Sequence, residues 1–260
     1  MIYIIFLFFT LMILAFGFYQ WQYFMVFTPA FHRSEILDDR CQMLSIFSED
    51  GIELEGVIYQ PEKPISTILF FAGRNHDVIG VIDKLICIYP MYRIVTFNYR
   101  SYGKSGGVAD EETILRDSLH IAYLVQKNYG DFYLLGFSLG SSIASYVASK
   151  CSTKGLFLVG AFDSISLLAK TKYVDKGILP DIDISKFFRY KFETIKYVQN
   201  VDASTYIFVS KNDETTYIQN SRNLKNKVKH LSYYVEFDNL SHKDILWDKR
   251  VVSKIKEVIG

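Results

Sequence analysis

The pattern of hydrophobic and polar positions divides the chain into one long apolar segment and a series of shorter apolar runs. Residues 2–18 are almost wholly apolar, and three aromatic residues follow at Tyr19, Trp21 and Tyr23. About 20 apolar residues suffice to cross the hydrocarbon core of a bilayer, and tyrosine and tryptophan favour its interface. The pattern predicts a single-pass membrane anchor over residues 1–28 and a linker over 29–42.

A cleaved signal peptide is the alternative interpretation of this segment. Such a peptide carries a basic start and ends in a small-residue cleavage site. No lysine or arginine precedes the apolar run, and Ala15-Phe16-Gly17 is a poor cleavage site, so an uncleaved anchor is favoured. Few basic residues flank the segment, and Arg33 and Arg40 are offset by neighbouring acids, which leaves the side of the membrane open.

The remainder, residues 43–260, alternates between strand and helix patterns. Residues 43–47 and 52–59 read as an antiparallel hairpin, and strict alternation in its second arm predicts one solvated face. Continuous apolar runs, typical of strands buried on both faces, alternate with amphipathic helices. Strands are predicted at 67–71, 93–97, 155–160, 205–209 and 231–237, with one more ending at Phe137; helices are predicted at 78–89, 111–126, 214–224 and 245–259 and directly after Phe137. This order predicts an α/β fold with a mostly parallel sheet, an N-terminal antiparallel hairpin and helices on both faces.

The pattern Gly-x-Ser-x-Gly occurs twice, at residues 103–107 and 136–140. One match is expected by chance with a probability of roughly 7 %, so the context must decide between them. Ser138 stands between a strand and a helix with no intervening residues, as a nucleophile on a sharp turn requires. Ser105 lies in a loop several residues after its strand. Ser138 is therefore the predicted nucleophile.

A serine hydroxyl needs a base, and the base needs a carboxylate that fixes its tautomer. In a parallel sheet, functional residues gather where strands end. His242 directly follows the last predicted strand, and Asp213 follows the strand before it. They are the predicted base and acid, with His76 and Asp238 as the alternatives; Glu214 reads as a charge in the first turn of a helix.

The oxyanion of an acyl-transfer intermediate requires backbone donors. The N–H of Leu139, directly after the nucleophile, is one expected donor, and the N–H of Arg74, in the loop after the first buried strand, is the other. The Arg74 side chain is expected to point to solvent.

Composition narrows the choice of partners. The net charge is +1 and no basic stripe is present, which argues against nucleic acid. The three cysteines are widely spaced and no His/Cys group has the spacing of metal ligands, so neither a disulfide framework, nor a metal, nor a cofactor is predicted. The oligomeric state is left open.

From about Ile52 onward, the chain resembles the membrane-anchored α/β-hydrolase-domain proteins, close to the serine-aminopeptidase and monoacylglycerol-lipase-like branch. Three segments carry the resemblance besides the Ser138 turn. They are residues 71–75, similar to an oxyanion loop; 98–107, similar to the Asp-Tyr-Arg-Gly-Tyr-Gly-x-Ser-x-Gly stretch; and 210–214, similar to the acid loop. The chain departs from the family at Ala72, Arg74 and Ser101, which stand in place of histidine, asparagine and glycine. Residues 163–201, here called the lid, are too short for an elaborate cap, so a minimal lid is predicted.

The resemblance implies cleavage of an ester, thioester or amide through an acyl-enzyme on Ser138. The expected substrate is a small-molecule or lipid-like acyl compound at the membrane. Two alternatives stay open: an acyltransferase that uses the same three residues, and a membrane-tethered scaffold without catalysis. The fold alone names no substrate.

Overall fold

The computed structural model of the chain describes residues 2–31, 38–180 and 183–260. Residues 32–37 of the predicted linker, including Arg33, lie outside these residues. The division into an anchor at 1–28, a linker at 29–42 and a domain at 43–260 therefore stays a prediction.

One sheet of eight strands runs through the described part of the chain, in the order β1-β2-β4-β3-β5-β6-β7-β8. The first two strands form the predicted antiparallel hairpin, β2 pairs antiparallel with β4, and every later pairing is parallel. The strands are β1 (Cys41–Phe47), β2 (Glu53–Tyr59), β3 (Thr67–Phe71), β4 (Arg93–Phe97), β5 (Phe132–Phe137), β6 (Gly155–Val159), β7 (Thr205–Ser210) and β8 (Leu231–Phe237).

Helices cover both faces of this sheet. The α-helices are α1 (Ile2–Val26), α2 (Ile82–Ile88), α3 (Glu111–Tyr129), α4 (Leu139–Ala148), α5 (Ile165–Lys170), α6 (Thr194–Tyr197), α7 (Ile218–Lys225) and α8 (Lys249–Ile259). Ile121 of α3 and Ile143 of α4 belong to one buried apolar cluster, whereas Leu85 of α2 and Val251 of α8 belong to a second. The predicted α/β architecture is confirmed.

The solvated face predicted for the hairpin's second arm is wrong. Every residue of β2 after Glu53 is buried. The alternation arises because Glu55 faces the loop at residues 98–105 instead of water: its carboxylate accepts hydrogen bonds from the side chain of Asn98 (3.1 Å) and the backbone N–H of Lys104 (2.8 Å). A buried carboxylate is tolerated when such donors replace its hydration.

Three helices also begin later than the sequence pattern predicts. The segment 78–89 starts with a 3₁₀ turn that Asp77 caps, and the closing segment starts with a 3₁₀ turn at Ile245–Trp247 before α8. The α7 helix begins at Ile218 rather than at residue 214. The backbone N–H groups of Thr215 and Thr216 donate hydrogen bonds to the carboxylate of Asp213, and this local arrangement replaces the first turn of the predicted helix.

The first helix is exposed over most of its length, and its last turn packs against the rest of the chain. Among the described residues, α1 is the one helix long and apolar enough to cross a membrane, and no residue of its most apolar stretch is buried. Its final turn differs, because Gln22 and Val26 are buried and Phe27, directly after the helix, is fully covered. The end of the apolar segment is thus packed against the domain that follows it.

Candidate active site

Ser138 stands on a strained turn between β5 and α4. Its backbone has φ 54° and ψ −120°, a conformation that residues other than glycine rarely adopt. The flanking glycines are required by close contacts: a Cβ on Gly136 would lie 2.4 Å from the carbonyl oxygen of Gly140, and a Cβ on Gly140 would lie 2.0 Å from that of Phe71. The turn therefore fits only with glycine at both places, and it holds the serine at the carboxyl edge of the sheet.

His242 reaches the serine from the loop after β8. Its Nε2 lies 2.9 Å from Ser138 Oγ. The imidazole stacks on Phe137 with ring centroids 5.1 Å apart, and it lies close to Gly160, where a Cβ would come within 3.2 Å of the ring. These contacts fix the plane of the ring, which directs Nε2 at the serine.

Asp213 follows β7 and bonds the other nitrogen of the histidine. Its Oδ2 lies 2.7 Å from His242 Nδ1 and accepts a second hydrogen bond from Thr216 Oγ1 at 2.6 Å. The backbone N–H groups of Thr215 and Thr216 each donate to Oδ1 at 2.7 Å. Burial works to raise the pKa of this carboxyl, but the hydrogen bonds from His242 and Thr216 hold the pKa below its ordinary value of 3.8.

The alternative candidates for acid, base and nucleophile lie in environments that differ from those of Asp213, His242 and Ser138. Asp238 is largely exposed and pairs with Lys211 at 2.6 Å, and Glu214 is exposed. His76 stacks on Phe137, with ring centroids 5.6 Å apart. Burial, with the nearby charge of His242, lowers the pKa of His76 to about 4. Ser105 is buried, and its hydroxyl accepts a hydrogen bond from the N–H of Glu55 (3.0 Å) and donates one to the carbonyl of Asn98 (2.9 Å). These bonds stabilise the loop at residues 98–105.

The two predicted oxyanion donors lie on segments that contact each other. Leu139 is the first residue of α4, where backbone N–H groups and the helix dipole favour negative charge. The loop after β3 passes close to the turn, since a Cβ on Gly73 would come within 3.4 Å of Ser138 Cβ. The role of Leu139 and Arg74 as donors stays a prediction.

The Arg74 side chain has a partner that the sequence did not indicate. The residue is exposed, as expected, but its guanidinium donates a hydrogen bond to the backbone carbonyl of Met25 at the end of α1. Helix ends leave their last carbonyls without partners, and arginine is a common donor to them. The loop beside the nucleophile is thereby tied to the first helix.

A cavity of about 120 Å³ opens beside Ser138. Met25 and Val26 from α1 form part of its lining, and Ile165 and Leu168 from α5 form another part. Sequence reasoning missed the contribution of α1. An available signal was Gln22, one of two glutamines near the end of a largely apolar helix, which is buried in the structure.

The same reasoning missed Thr216, whose hydroxyl supports Asp213. A threonine three residues after an acid is a common local hydrogen-bonding arrangement, so the spacing could have suggested it. As for metals, no group of three or more His, Cys, Asp or Glu side chains in the described segments could hold an ion.

The sheet order, the strained serine between β5 and α4, and the acid and histidine after β7 and β8 together define the α/β-hydrolase fold. The resemblance predicted from the motifs is confirmed at the level of the fold by solved structures. An esterase from Pyrococcus furiosus superposes with a TM-score of 0.68 over 90% of this chain and 96% of its own, at 16% identity. The acetyl xylan esterase from Paenibacillus sp. R4 superposes with a TM-score of 0.67 over 87% and 86%, at 12% identity.

Sequence relatives match shorter segments. The lysophosphatidylserine lipase ABHD12 of Macaca fascicularis is 31% identical over 87 residues, which are 31% of this chain and 22% of that protein. The Danio rerio protein of the same name is 27% identical over 125 residues, 44% of this chain and 32% of the relative. The matched segments span under a third of these relatives. No known family profile matches the chain. The esterase neighbours and the lipase-named relatives support the prediction of a serine-hydrolase-type enzyme.

Proposed function

We propose that the chain is a membrane-anchored serine hydrolase that cleaves an acyl compound through an acyl-enzyme on Ser138. The observation that carries this proposal is the continuous chain of hydrogen bonds from Ser138 Oγ to His242 Nε2 (2.9 Å) and from His242 Nδ1 to Asp213 Oδ2 (2.7 Å). Such a chain gives the serine a base and gives the base a fixed tautomer.

The ionised Asp213 accepts a hydrogen bond from the N–H at Nδ1 of His242, so that Nε2 presents its lone pair to Ser138. As Ser138 Oγ attacks the acyl carbonyl, the proton of its hydroxyl passes to His242 Nε2. The carbonyl oxygen becomes an oxyanion, which accepts hydrogen bonds from the backbone N–H groups of Leu139 and Arg74. The imidazolium then protonates the leaving group, whose bond to the acyl carbon breaks. A water molecule attacks the acyl-enzyme with the same histidine as base, which releases the acid and restores the serine.

The electrostatics of the acid suit this sequence of steps. Because its hydrogen bonds hold the pKa of Asp213 below 3.8, the carboxylate stays ionised at neutral pH. A fixed negative charge beside Nδ1 stabilises the imidazolium that forms when the serine loses its proton.

The proposed substrate is a lipid-like acyl compound, met at the bilayer that α1 crosses. The exposed apolar length of α1 supports the anchor, and the lining of the cavity by Met25 and Val26 supports an apolar substrate close to that helix. The lysophosphatidylserine lipase name of the partial relatives points in the same direction. A preference for short water-soluble esters over membrane-resident esters would contradict this part of the proposal.

Activity-based labelling tests the chemistry on the full chain. Membranes that contain the wild-type protein, Ser138→Ala or Ser105→Ala are treated with a fluorophosphonate probe. We expect wild type and Ser105→Ala to label in proportion to folded protein, and Ser138→Ala not to label. An unlabelled wild type would contradict the hydrolase, and loss of labelling in folded Ser105→Ala alone would contradict the choice of nucleophile. Retention of the chain in the membrane after alkaline carbonate extraction tests the anchor separately.

A further inference from the structure

The lid carries apolar side chains that the fold of the domain leaves uncovered. Phe187 is 68% exposed, Ile178 is 64% exposed and Leu179 is 41% exposed. Phe18 and Trp21 of α1, which are 40% and 39% exposed, line one groove with Ile178 and Leu179, and Phe187 directly precedes another residue of that groove, Phe188. These five exposed residues are here called the lid face. An exposed apolar patch of this kind marks a protein or membrane contact more often than chance.

Aromatic contacts join the lid face to the first helix. Trp21 packs edge-on against Tyr173 with centroids 5.5 Å apart and against Phe188 at 6.1 Å, and Phe18 contacts Phe188 at 6.2 Å. The side chains of both elements line an open apolar groove of about 290 Å³. The surface of α1 therefore passes into the surface of the lid without a polar interruption.

A buried amide fixes the position of the lid along the helix. Gln22 Nε2 donates to the carbonyl of Phe187 at 3.2 Å, and Gln22 Oε1 accepts from the N–H of Arg189 at 2.7 Å. At 1.5 Å per residue, about 20 residues from Ile2 fill a hydrocarbon core of roughly 30 Å, so the apolar layer ends near Trp21. The lid meets α1 within one turn of that point, which is the level of the lipid headgroups.

We propose that the lid face lies in the interfacial layer of the bilayer that α1 crosses, and that lipids of that leaflet are its partner. The inference rests on the proposed membrane span of α1 and does not depend on the chemistry at Ser138. Exposed lysines at 172, 176 and 186 lie in the same segment as these apolar residues, where Lys186 also pairs with Asp183 at 3.6 Å. Lysines at this level place their ammonium groups among lipid headgroups.

The arrangement gives the catalytic cavity a defined entrance. Leu168 and Lys172 line the cavity beside Ser138, and the next residue, Tyr173, lines the apolar groove of the lid face. An acyl substrate can then move from the leaflet along the end of α1 into the cavity without crossing bulk water.

Depth-dependent quenching in proteoliposomes of phosphatidylcholine tests the proposal on the full chain. The native cysteines at 41, 87 and 151 are replaced by serine, and single cysteines carrying a nitrobenzoxadiazole label are placed at positions 8, 91, 178 and 187. Met91 is the matched control: it is an apolar residue 52% exposed, and it lies just before β4, at the opposite edge of the sheet from Ser138. Phe8, in the exposed part of α1, reports insertion of the helix.

We expect phosphatidylcholine with a doxyl group near the headgroup to quench the labels at 178 and 187 at least about twofold more than the label at 91. Equal quenching at 91, 178 and 187 by this lipid, with strong quenching at 8 by phosphatidylcholine that carries its doxyl group deep in the acyl chain, would overturn the lid proposal and leave the anchor standing. Absence of quenching at 8 would overturn both. Because the readout needs no catalysis, failure of fluorophosphonate labelling would leave this result unaffected.

Discussion

Replacing Asp213 with asparagine tests the proposed acid most directly. The substitution keeps the shape of the side chain but removes its charge, and it places an amide where His242 Nδ1 now donates at 2.7 Å. Asparagine can present its NH₂ group to Nδ1, which would shift the imidazole proton to Nε2 and leave no lone pair facing Ser138.

The expected magnitude follows from the burial of the pair. The Asp213 side chain is 1% exposed and that of His242 is 10% exposed, so water replaces little of the lost interaction. Removing one partner of a buried pair costs about 3–5 kcal/mol. At about 1.4 kcal/mol per factor of ten, a loss of this size in the transition state lowers kcat/KM by about 10²- to 10⁴-fold.

The assay compares kcat/KM for one acyl ester between wild type, Asp213→Asn and Asp238→Asn. Asp238 was the alternative acid, and its side chain is 72% exposed and paired with Lys211. We expect Asp238→Asn to keep wild-type activity. Equal activity of Asp213→Asn and wild type, or a large loss in Asp238→Asn with Asp213→Asn unaffected, would refute the assignment.

The same variant has a signature in stability. The folded-state pKa of Asp213 lies below its ordinary value of 3.8, so the ionised carboxyl contributes stability above that value and loses the contribution as pH falls through the lower folded pKa. We expect wild type to melt at a higher temperature than Asp213→Asn from about pH 5 to pH 8, with a difference that narrows below about pH 4. A difference that widens in acid would contradict the sign of the pKa shift.

Three further predictions concern the turn, the oxyanion loop and the cavity. Gly140→Ala places a Cβ 2.0 Å from the carbonyl oxygen of Phe71, so we expect loss of folded protein or of fluorophosphonate labelling. Gly106→Ala, whose Cβ would have its nearest contact at 3.4 Å, should fold and label normally. Arg74→Pro removes the proposed backbone donor and should lower kcat by about 10²- to 10³-fold, whereas Arg74→Ala keeps that N–H and should lose less than tenfold; equal losses would contradict a backbone role. Met25→Trp narrows the cavity and should reduce kcat/KM for long-chain esters at least tenfold more than for acetyl esters. An unchanged chain-length profile would exclude Met25 from the acyl site.

The order of the strands and helices could be predicted because each element carries its own periodicity. The buried strands β3, β4 and β5 read as largely apolar runs because both of their faces are covered. The turn at Ser138 is indicated by the two glycines that its close contacts require. Positions after strands could be chosen because parallel strands end at one edge. For this reason Ser138, Asp213 and His242, far apart in sequence, were expected to meet.

The remaining features depend on contacts between distant segments, which periodicity does not encode. Glu55 alternates like a solvated residue, yet a loop more than forty positions later covers it. The late start of α7 reflects the demand of Asp213 for backbone donors, which competes locally with helix formation. The contact between Arg74 and the end of α1 joins two segments whose individual patterns suggest no partner.

In the proposed membrane-anchored chain, the buried amide of Gln22 sets how deeply the protein sits in the bilayer. Sliding α1 by one turn toward the bilayer relative to the lid would carry this side chain into hydrocarbon and separate it from the backbone groups of Phe187 and Arg189. Unpaired amides are costly there, because no water replaces the lost hydrogen bonds. The helix can accommodate a thicker or thinner membrane by tilting, but the contacts of Gln22 fix the C-terminal end of α1 to the lid. Thickness of the surrounding bilayer would therefore alter the angle of the domain to the membrane more than its distance from it.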